Sequence, residues 1–232
     1  MLARDWFYNQ KQRIGLDSAV ACLYDGRDDA DLHARAALTM LGVRPGWRVA
    51  DVGCGNGVLA TEAALMGAEV DAIDIAPAML ALAATYARDR RASVRISSAG
   101  LLSFAYQPNS YDLIVSEFAL HHLPDFWKAV AVSRIFGALK PGASFYLRDI
   151  VFVSLPDGGE RNVEEWADFN IRNHDISRDI VVTHMRDEYS TFGWVMERML
   201  AEVGFTLVFA DYHAPLHGTY LLRKPQPGVV QG

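Results

Sequence analysis

The sequence predicts an α/β domain: a seven-stranded, mostly parallel sheet with helices on both faces and an antiparallel hairpin at its C-terminal end. Three observations predict it. Short apolar strands alternate with helical segments from residue 48 to residue 151, which calls for right-handed crossovers and parallel pairing. Two later apolar runs, 205–211 and 218–224, lie too close together for a crossover and so pair antiparallel. At 232 residues, 51% hydrophobic and 22% charged, the chain can bury one sizeable core and is not a disordered polymer.

The elements follow in order. Residues 1–46 read as a helical cap, with Ala19-Val20, Leu23-Tyr24, Leu32, Ala36-Ala37 and Met40-Leu41 at helical spacing. Gly42, Pro45 and Gly46 end it with turn chemistry. Strand 48–52 leads to helix 57–66, then strand 69–74, then a helix opened by Pro77, whose missing N–H has no partner in a first turn anyway. Strands 93–97 and 111–116, helix 125–139 and strand 143–151 continue the alternation. Residues 154–190 break the rhythm; they are polar, show no simple period and read as an insertion in a domain spanning 47–224. A helix at about 190–203 and the hairpin follow, and 225–232 reads as a flexible tail.

VADVGCGNGVLA, residues 49–60, joins a strand to a helix through Gly53, Cys54, Gly55, Asn56 and Gly57. Glycine opens backbone conformations closed to other residues and lets a ligand approach, and a helix N-terminus adds free N–H groups and partial positive charge. The acid Asp74, at the end of the second strand, is placed to accept ribose hydroxyls. A nucleotide-like ligand is implied. The dinucleotide fingerprint is G-x-G-x-x-G/A, whereas the pattern here is G-x-G-x-G with Val58 at the third dinucleotide position.

Four motifs then occur in order: VADVGCGNG, VDAIDIAPAML, YDLIVSEFALHHLPD and LKPGASFYLRDIV. Together they resemble class I S-adenosylmethionine (SAM) methyltransferases, in the small-molecule branch similar to ubiquinone/menaquinone C-methyltransferases. The resemblance implies a Rossmann-like fold, SAM as cofactor and methyl transfer to a small, partly apolar acceptor at O, N, S or C. It implies that Gly53, Gly55 and Gly57 admit the methionine moiety and that Asp51 organises the loop and the ammonium group. It implies that Asp74 holds the ribose, that Ile75 covers adenine, and that Ser116, Glu117 and Phe118 lie beside the sulfonium. Glu117 is equally readable as a cofactor partner or a substrate contact. Where the family usually carries an acid for the adenine amino group, this chain has Ser98; weaker hydrogen bonding there shifts the expected grip on adenine to apolar contact through Ala99 and Leu101. Other readings are a tRNA or protein methyltransferase, and a SAM-binding fold member without methyl transfer.

Composition narrows the partners. A formal net charge of −6 supplies no basic footprint for nucleic acid. No apolar run approaches membrane-spanning length, and MLARDWFYNQKQRIG lacks an apolar signal core, so a cytoplasmic setting is expected. The two cysteines, Cys22 and Cys54, fit reduced thiols. Adjacent histidines on a turn point different ways, and no cysteine or carboxylate cluster flanks His121-His122 at ligand spacing, so no metal is expected. The resemblance implies that the 154–190 insertion forms a lid over the substrate, and within it His174 and His184 are candidate proton acceptors, since histidine titrates near neutrality. Tyr8, Tyr24, His121 and Tyr189 are candidate acceptor contacts. The aromatics Trp166, Phe169, Phe192 and Trp194 read as core. Oligomeric state is left open.

Overall fold

A computed structural model describes residues 30–153, 156–174, 177–213 and 216–228, with the backbone alone at 156–159, 173–174, 180 and 213. The chain runs α1 (Ala30–Met40), β1 (Arg48–Val52), α2 (Val58–Leu65), β2 (Glu69–Asp74), α3 (Pro77–Asp89), β3 (Val94–Ser98) and β4 (Tyr111–Glu117). It continues through a 3-10 turn (Leu120–His122), α4 (Asp125–Ala138), β5 (Leu139–Phe152), α5 (Pro156–His174) and α6 (Arg178–Asp187). It ends with β6 (Thr191–Phe192), α7 (Gly193–Val203), β7 (Thr206–His213) and β8 (His217–Arg223).

The strands order as β3-β2-β1-β4-β5-β8-β7. β3, β2, β1, β4 and β5 pair in parallel, while β8 is antiparallel to both β5 and β7. The expected seven strands are therefore present, and the two-residue β6 adds a short parallel pair beside the end of β5. Strand order reverses between β1 and β4, and in open α/β sheets this is where a crevice opens outside the carboxyl ends of the strands.

Side-chain alternation divides the core into two layers. Ala50, Ile114, Phe145 and Leu147 pack on one face, under Ile135 of α4 and Met196 and Leu200 of α7. Val49, Leu113, Val115 and Tyr146 pack on the other, against α1 and α2 through Ala34, Leu38, Leu59 and Ala63. A polar clamp joins the helices of that second face. Glu62 of α2 is fully buried, and its carboxylate accepts from Arg35 Nη2 of α1 and from Arg90 Nη2 just past α3, both at 2.7 Å.

Two findings differ from the sequence reading. The 154–190 segment contains two helices, α5 and α6. Their inward faces (Val163, Trp166, Ala167, Ile171 and Val181) pack with Ile150 and Phe118, and the surrounding polar residues conceal that period in the sequence. Of the four aromatics read as core, only Trp166 is buried; Phe169 and Trp194 are exposed, the latter by 61%. Of the cap, Trp6, Phe7, Tyr8, Cys22 and Tyr24 lie outside the described residues, as do the last four residues of the tail. No helix among the described residues is long and apolar enough to cross a membrane.

Candidate active site

The turn after β1 holds Gly53, Gly55 and Gly57 at φ 82°, 52° and 76°, the left-handed region that costs L-residues 1–2 kcal/mol. Gly53 and Cys54 both donate their N–H to the Ile73 carbonyl, at 2.8 and 3.0 Å, which pins the turn to the end of β2. A Cβ on Gly57 would meet the Ala83 Cβ at 2.6 Å, so this glycine seats α3 against the loop. Around Gly55 the position of a Cβ is open: beyond its chain neighbours, no heavy atom of the described residues lies within 4 Å. Gly57 also stands at the N-cap of α2, where it has no side chain with which to cap the first N–H groups of that helix.

Three carboxylates gather at this turn. Asp51, 3% exposed, has an Oδ2 with no hydrogen-bond partner among the described residues. Burial, then the neighbouring charges of Glu117 and Asp74, push its carboxyl up to about 8. A buried oxygen left unpaired is costly unless a ligand supplies a donor. Asp74 accepts from Gly55 N and Ala76 N, both at 2.9 Å, so its carboxylate also fastens the loop; each oxygen retains a second lone pair. Glu117 ends β4, its carboxyl raised by burial against the opposing pull of Arg148.

The remaining expected cofactor residues fall at the same strand ends. Ser116 is fully buried, and its hydroxyl donates to Val52 O at 2.8 Å, tying β4 to β1. Phe118 sits at φ 51°, a left-handed conformation for a non-glycine residue, held by its N–H to Arg148 O at 2.8 Å. Its ring lies 5.0 Å from the Arg148 guanidinium. Such strain persists only where the surroundings impose it. Ile75 is half-buried and Ser98 exposed, and Ala99 donates to Asp74 O at 3.0 Å beside buried Leu101.

A second cluster follows Phe118 in the chain. Asp149 of β5 accepts from His121 N at 2.9 Å and from Ile150 N at 2.8 Å, and its Oδ1 lies 2.5 Å from His121 Nδ1. The other His121 nitrogen, Nε2, is 3.1 Å from Glu188 Oε2. Glu188 also pairs with His184 Nδ1, one helical turn before it on α6. Burial disfavours the charged His121 ring, but Asp149 and then Glu188 outweigh it and hold its pKa at about 9. Glu188 is held well below the usual carboxylate range by both imidazoles against the opposing effect of burial, and burial lowers His184.

His184 packs on the Trp166 ring at 4.8 Å. Tyr189 donates its N–H to His121 O at 2.8 Å, so the chain after Glu188 is fastened to the His121 turn. His122 turns to the same side, its ring 4.1 Å from that of His121 and its Nδ1 3.8 Å from Glu188, because the 3-10 turn lets both rings reach one carboxylate. His174 ends α5, but its side chain is outside the described residues.

Residues 49–142 match a family described as a methyltransferase domain. The ubiquinone biosynthesis O-methyltransferase of Xanthomonas campestris pv. campestris is 39% identical over 106 residues, 44% of this chain and 43% of that protein. Residues 49–142 thus carry the pattern of a methyltransferase domain. The chain covers less than half the length of the first curated relatives it matches. A methyltransferase of Bacillus velezensis is 28% identical over 90% of this chain and 91% of its own. Among solved structures, the cyclase SpnF has a TM-score of 0.72 at 18% identity, covering 94% of this chain and 97% of that one. Magnesium protoporphyrin IX methyltransferase from Synechocystis PCC 6803, solved with bound SAM, has a TM-score of 0.59 at 17% identity, covering 95% and 88%. At these identities the structures show the fold alone, and a cyclase and a methyltransferase both carry it.

The fold thus gathers Asp51, the glycine turn, Asp74, Glu117 and Phe118 at the carboxyl ends of β1, β2 and β4, with His121, His184 and Tyr189 beyond Phe118. Reading the sequence singled out neither Asp149 nor Glu188. The spacing of His184 and Glu188, four residues apart, was the available local signal; the contact of both with His121 is made only by the fold.

Proposed function

We propose that the chain transfers the methyl group of SAM to a small, partly apolar acceptor. The observation that carries this reading is the unpartnered, buried Oδ2 of Asp51 beneath an open glycine turn. An ammonium group fits it, and the space beside Gly55 suits a flexible methionine chain. Asp74 would hold the ribose hydroxyls through the lone pairs left after its two backbone bonds. Ile75, Ala99 and Leu101 would bound the adenine, and Ser98 would meet its amino group. Ser116 shapes the strand end, while Glu117 and Phe118 flank the reacting centre.

Bound SAM supplies an electrophilic methyl group whose leaving group is a neutral thioether, so the protein's main task is to align the acceptor. α5 and α6 cover the ends of β4 and β5, and Phe118, Phe152, Trp166 and Val181 form an apolar wall there. That wall favours a small, partly apolar acceptor, as does a net charge of −6, which opposes nucleic acid. The scarcity of cysteine, two in 232 residues, favours a reducing, cytoplasmic setting.

In the test, the chain is incubated with methyl-labelled SAM and separate small-molecule, RNA and protein fractions of a cell extract, and S-adenosylhomocysteine is quantified. Label and S-adenosylhomocysteine rising only with the small-molecule fraction support the reading. Label entering RNA or protein overturns the acceptor class, and failure to bind S-adenosylhomocysteine in calorimetry overturns the reading altogether.

A further inference from the structure

Beside the cofactor turn, His121, His184 and Glu188 form a compact, mostly buried set whose nitrogen and carboxylate oxygen ligand atoms all lie within 4.8 Å of one another. The geometry points to a divalent-cation site of the zinc class, ligated by His121 Nε2, His184 Nδ1 and Glu188 Oε2. Three features carry it beyond an ordinary ion pair.

The first is ligand chemistry. Two imidazoles and one carboxylate are a donor set typical of a catalytic zinc, with further coordination left open. Ligands about 2.0–2.2 Å from one ion stand roughly 3.4 Å apart, and the His121 to Glu188 separation is already 3.1 Å. His184 and Glu188 share a helical face through their i,i+4 spacing, and both reach that point.

The second is the partner behind the ligand. The remaining His121 nitrogen, Nδ1, faces the Asp149 carboxylate at 2.5 Å. A carboxylate on the far nitrogen fixes the tautomer and makes the near one a better donor, the usual support for a ligating histidine.

The third is assembly. The ligands come from the turn after β4 and from the end of α6, and a separate set of bonds holds these two segments together. Tyr189 N donates to His121 O, Lys128 Nζ donates to Tyr189 O, and Thr191 Oγ1 donates to Asp125 Oδ2 at 3.2 Å. The ligand atoms thus meet without drawing on the metal to order the chain.

Charge is consistent with this. Two carboxylates, Asp149 and Glu188, face two imidazoles in a buried space; a dication balances both with the imidazoles neutral, the form in which they ligate. Without metal, the Nε2–H of His121 occupies the place of the cation against Glu188. On metal binding that N–H bond breaks, the nitrogen–metal bond forms, and the proton leaves to solvent. The open coordination position would take an oxygen or sulfur of the acceptor and lower its pKa; this last step rests on the proposed function, whereas metal binding does not.

The test uses the full chain, stripped with chelator and desalted. Zn2+ is titrated by calorimetry, bound metal is counted by mass spectrometry, and Co2+ is followed by its visible absorption. The expected result is one equivalent of Zn2+, and for Co2+ the intense bands of a four- or five-coordinate ion. His184→Ala and Glu188→Gln should each abolish those bands. Asp149→Asn should weaken Zn2+ binding by about 10–100-fold with all three ligands intact. S-adenosylhomocysteine binding, measured on the same samples, reports whether each variant is folded. Wild-type chain that holds no stoichiometric metal, or binding unchanged in folded His184→Ala and Glu188→Gln, overturns the site. A chain that binds Co2+ but not S-adenosylhomocysteine overturns the proposed function and leaves the metal site standing.

Discussion

Replacing Asp51 by Asn keeps the shape of the side chain and removes its charge, and the consequence for cofactor affinity depends on pH. The folded, ligand-free protein holds the Asp51 carboxyl at about 8, above the unfolded value near 3.9, chiefly through burial. An ammonium-bearing ligand selects the ionised form. At pH 7 about one-tenth of the molecules carry it, so ionisation subtracts about 1.4 kcal/mol from binding; at pH 6 it subtracts about 2.7 kcal/mol. A charge-assisted bond to the ammonium contributes up to about 3 kcal/mol. The difference between wild type and Asp51→Asn is then about 0.3 kcal/mol at pH 6 and 1.6 kcal/mol at pH 7, or less than twofold and about 15-fold in Kd.

Stability moves the opposite way. Because the folded carboxyl binds its proton more tightly than the unfolded one, wild-type stability falls as pH rises from about 4 to about 8. The Asn variant escapes that loss, which has a ceiling on the order of 5 kcal/mol. Calorimetry with S-adenosylhomocysteine from pH 6 to 7.5, in buffers of different ionisation enthalpy, reads both affinity and proton release; thermal melts at pH 8 read stability. Wild-type affinity that is flat with pH, with no buffer dependence, would refute the assignment of Asp51 as the ammonium partner.

Three further substitutions test the framework around the crevice. Gly57→Ala should lose about 2–4 kcal/mol of stability, since it combines left-handed strain with a methyl driven against Ala83, and should weaken S-adenosylhomocysteine binding at least tenfold; denaturant unfolding and calorimetry measure the two. Lys128→Met removes a fully buried ammonium bonded to Asp125 and to the Tyr189 carbonyl, so melting should fall by about 4–8 °C and amide exchange should quicken at 188–191. The double variant Arg35→Ala, Arg90→Ala leaves the Glu62 carboxylate buried without its two guanidinium partners and should cost about 3 kcal/mol, with Glu62→Gln restoring part of it in the same background.

Much of the cofactor half was legible because its signals are local. Positive-φ glycines, an acid at a strand end and a proline in a first turn act within a few residues of where they are written. Helices placed at 57–66 and 125–139, and the one opened by Pro77, occur as Val58–Leu65, Asp125–Ala138 and Pro77–Asp89. The 154–190 segment was less legible, because α5 and α6 bury only a narrow stripe and polar residues fill the rest of each turn. The exposed Trp194 shows the converse, since an aromatic residue announces a large apolar surface without saying which neighbour will cover it.

The sequence by itself determined the parallel sheet, the antiparallel hairpin, the glycine turn and its flanking acids, since backbone sterics and strand–helix period are properties of short stretches. Only the tertiary structure decided that Asp51 keeps an unpaired oxygen, that Asp74 also fastens the loop, and that His121 lies between Asp149 and Glu188 with His184 beyond. Those relations join residues far apart in the chain, and they depend on which surfaces the packed core leaves facing each other.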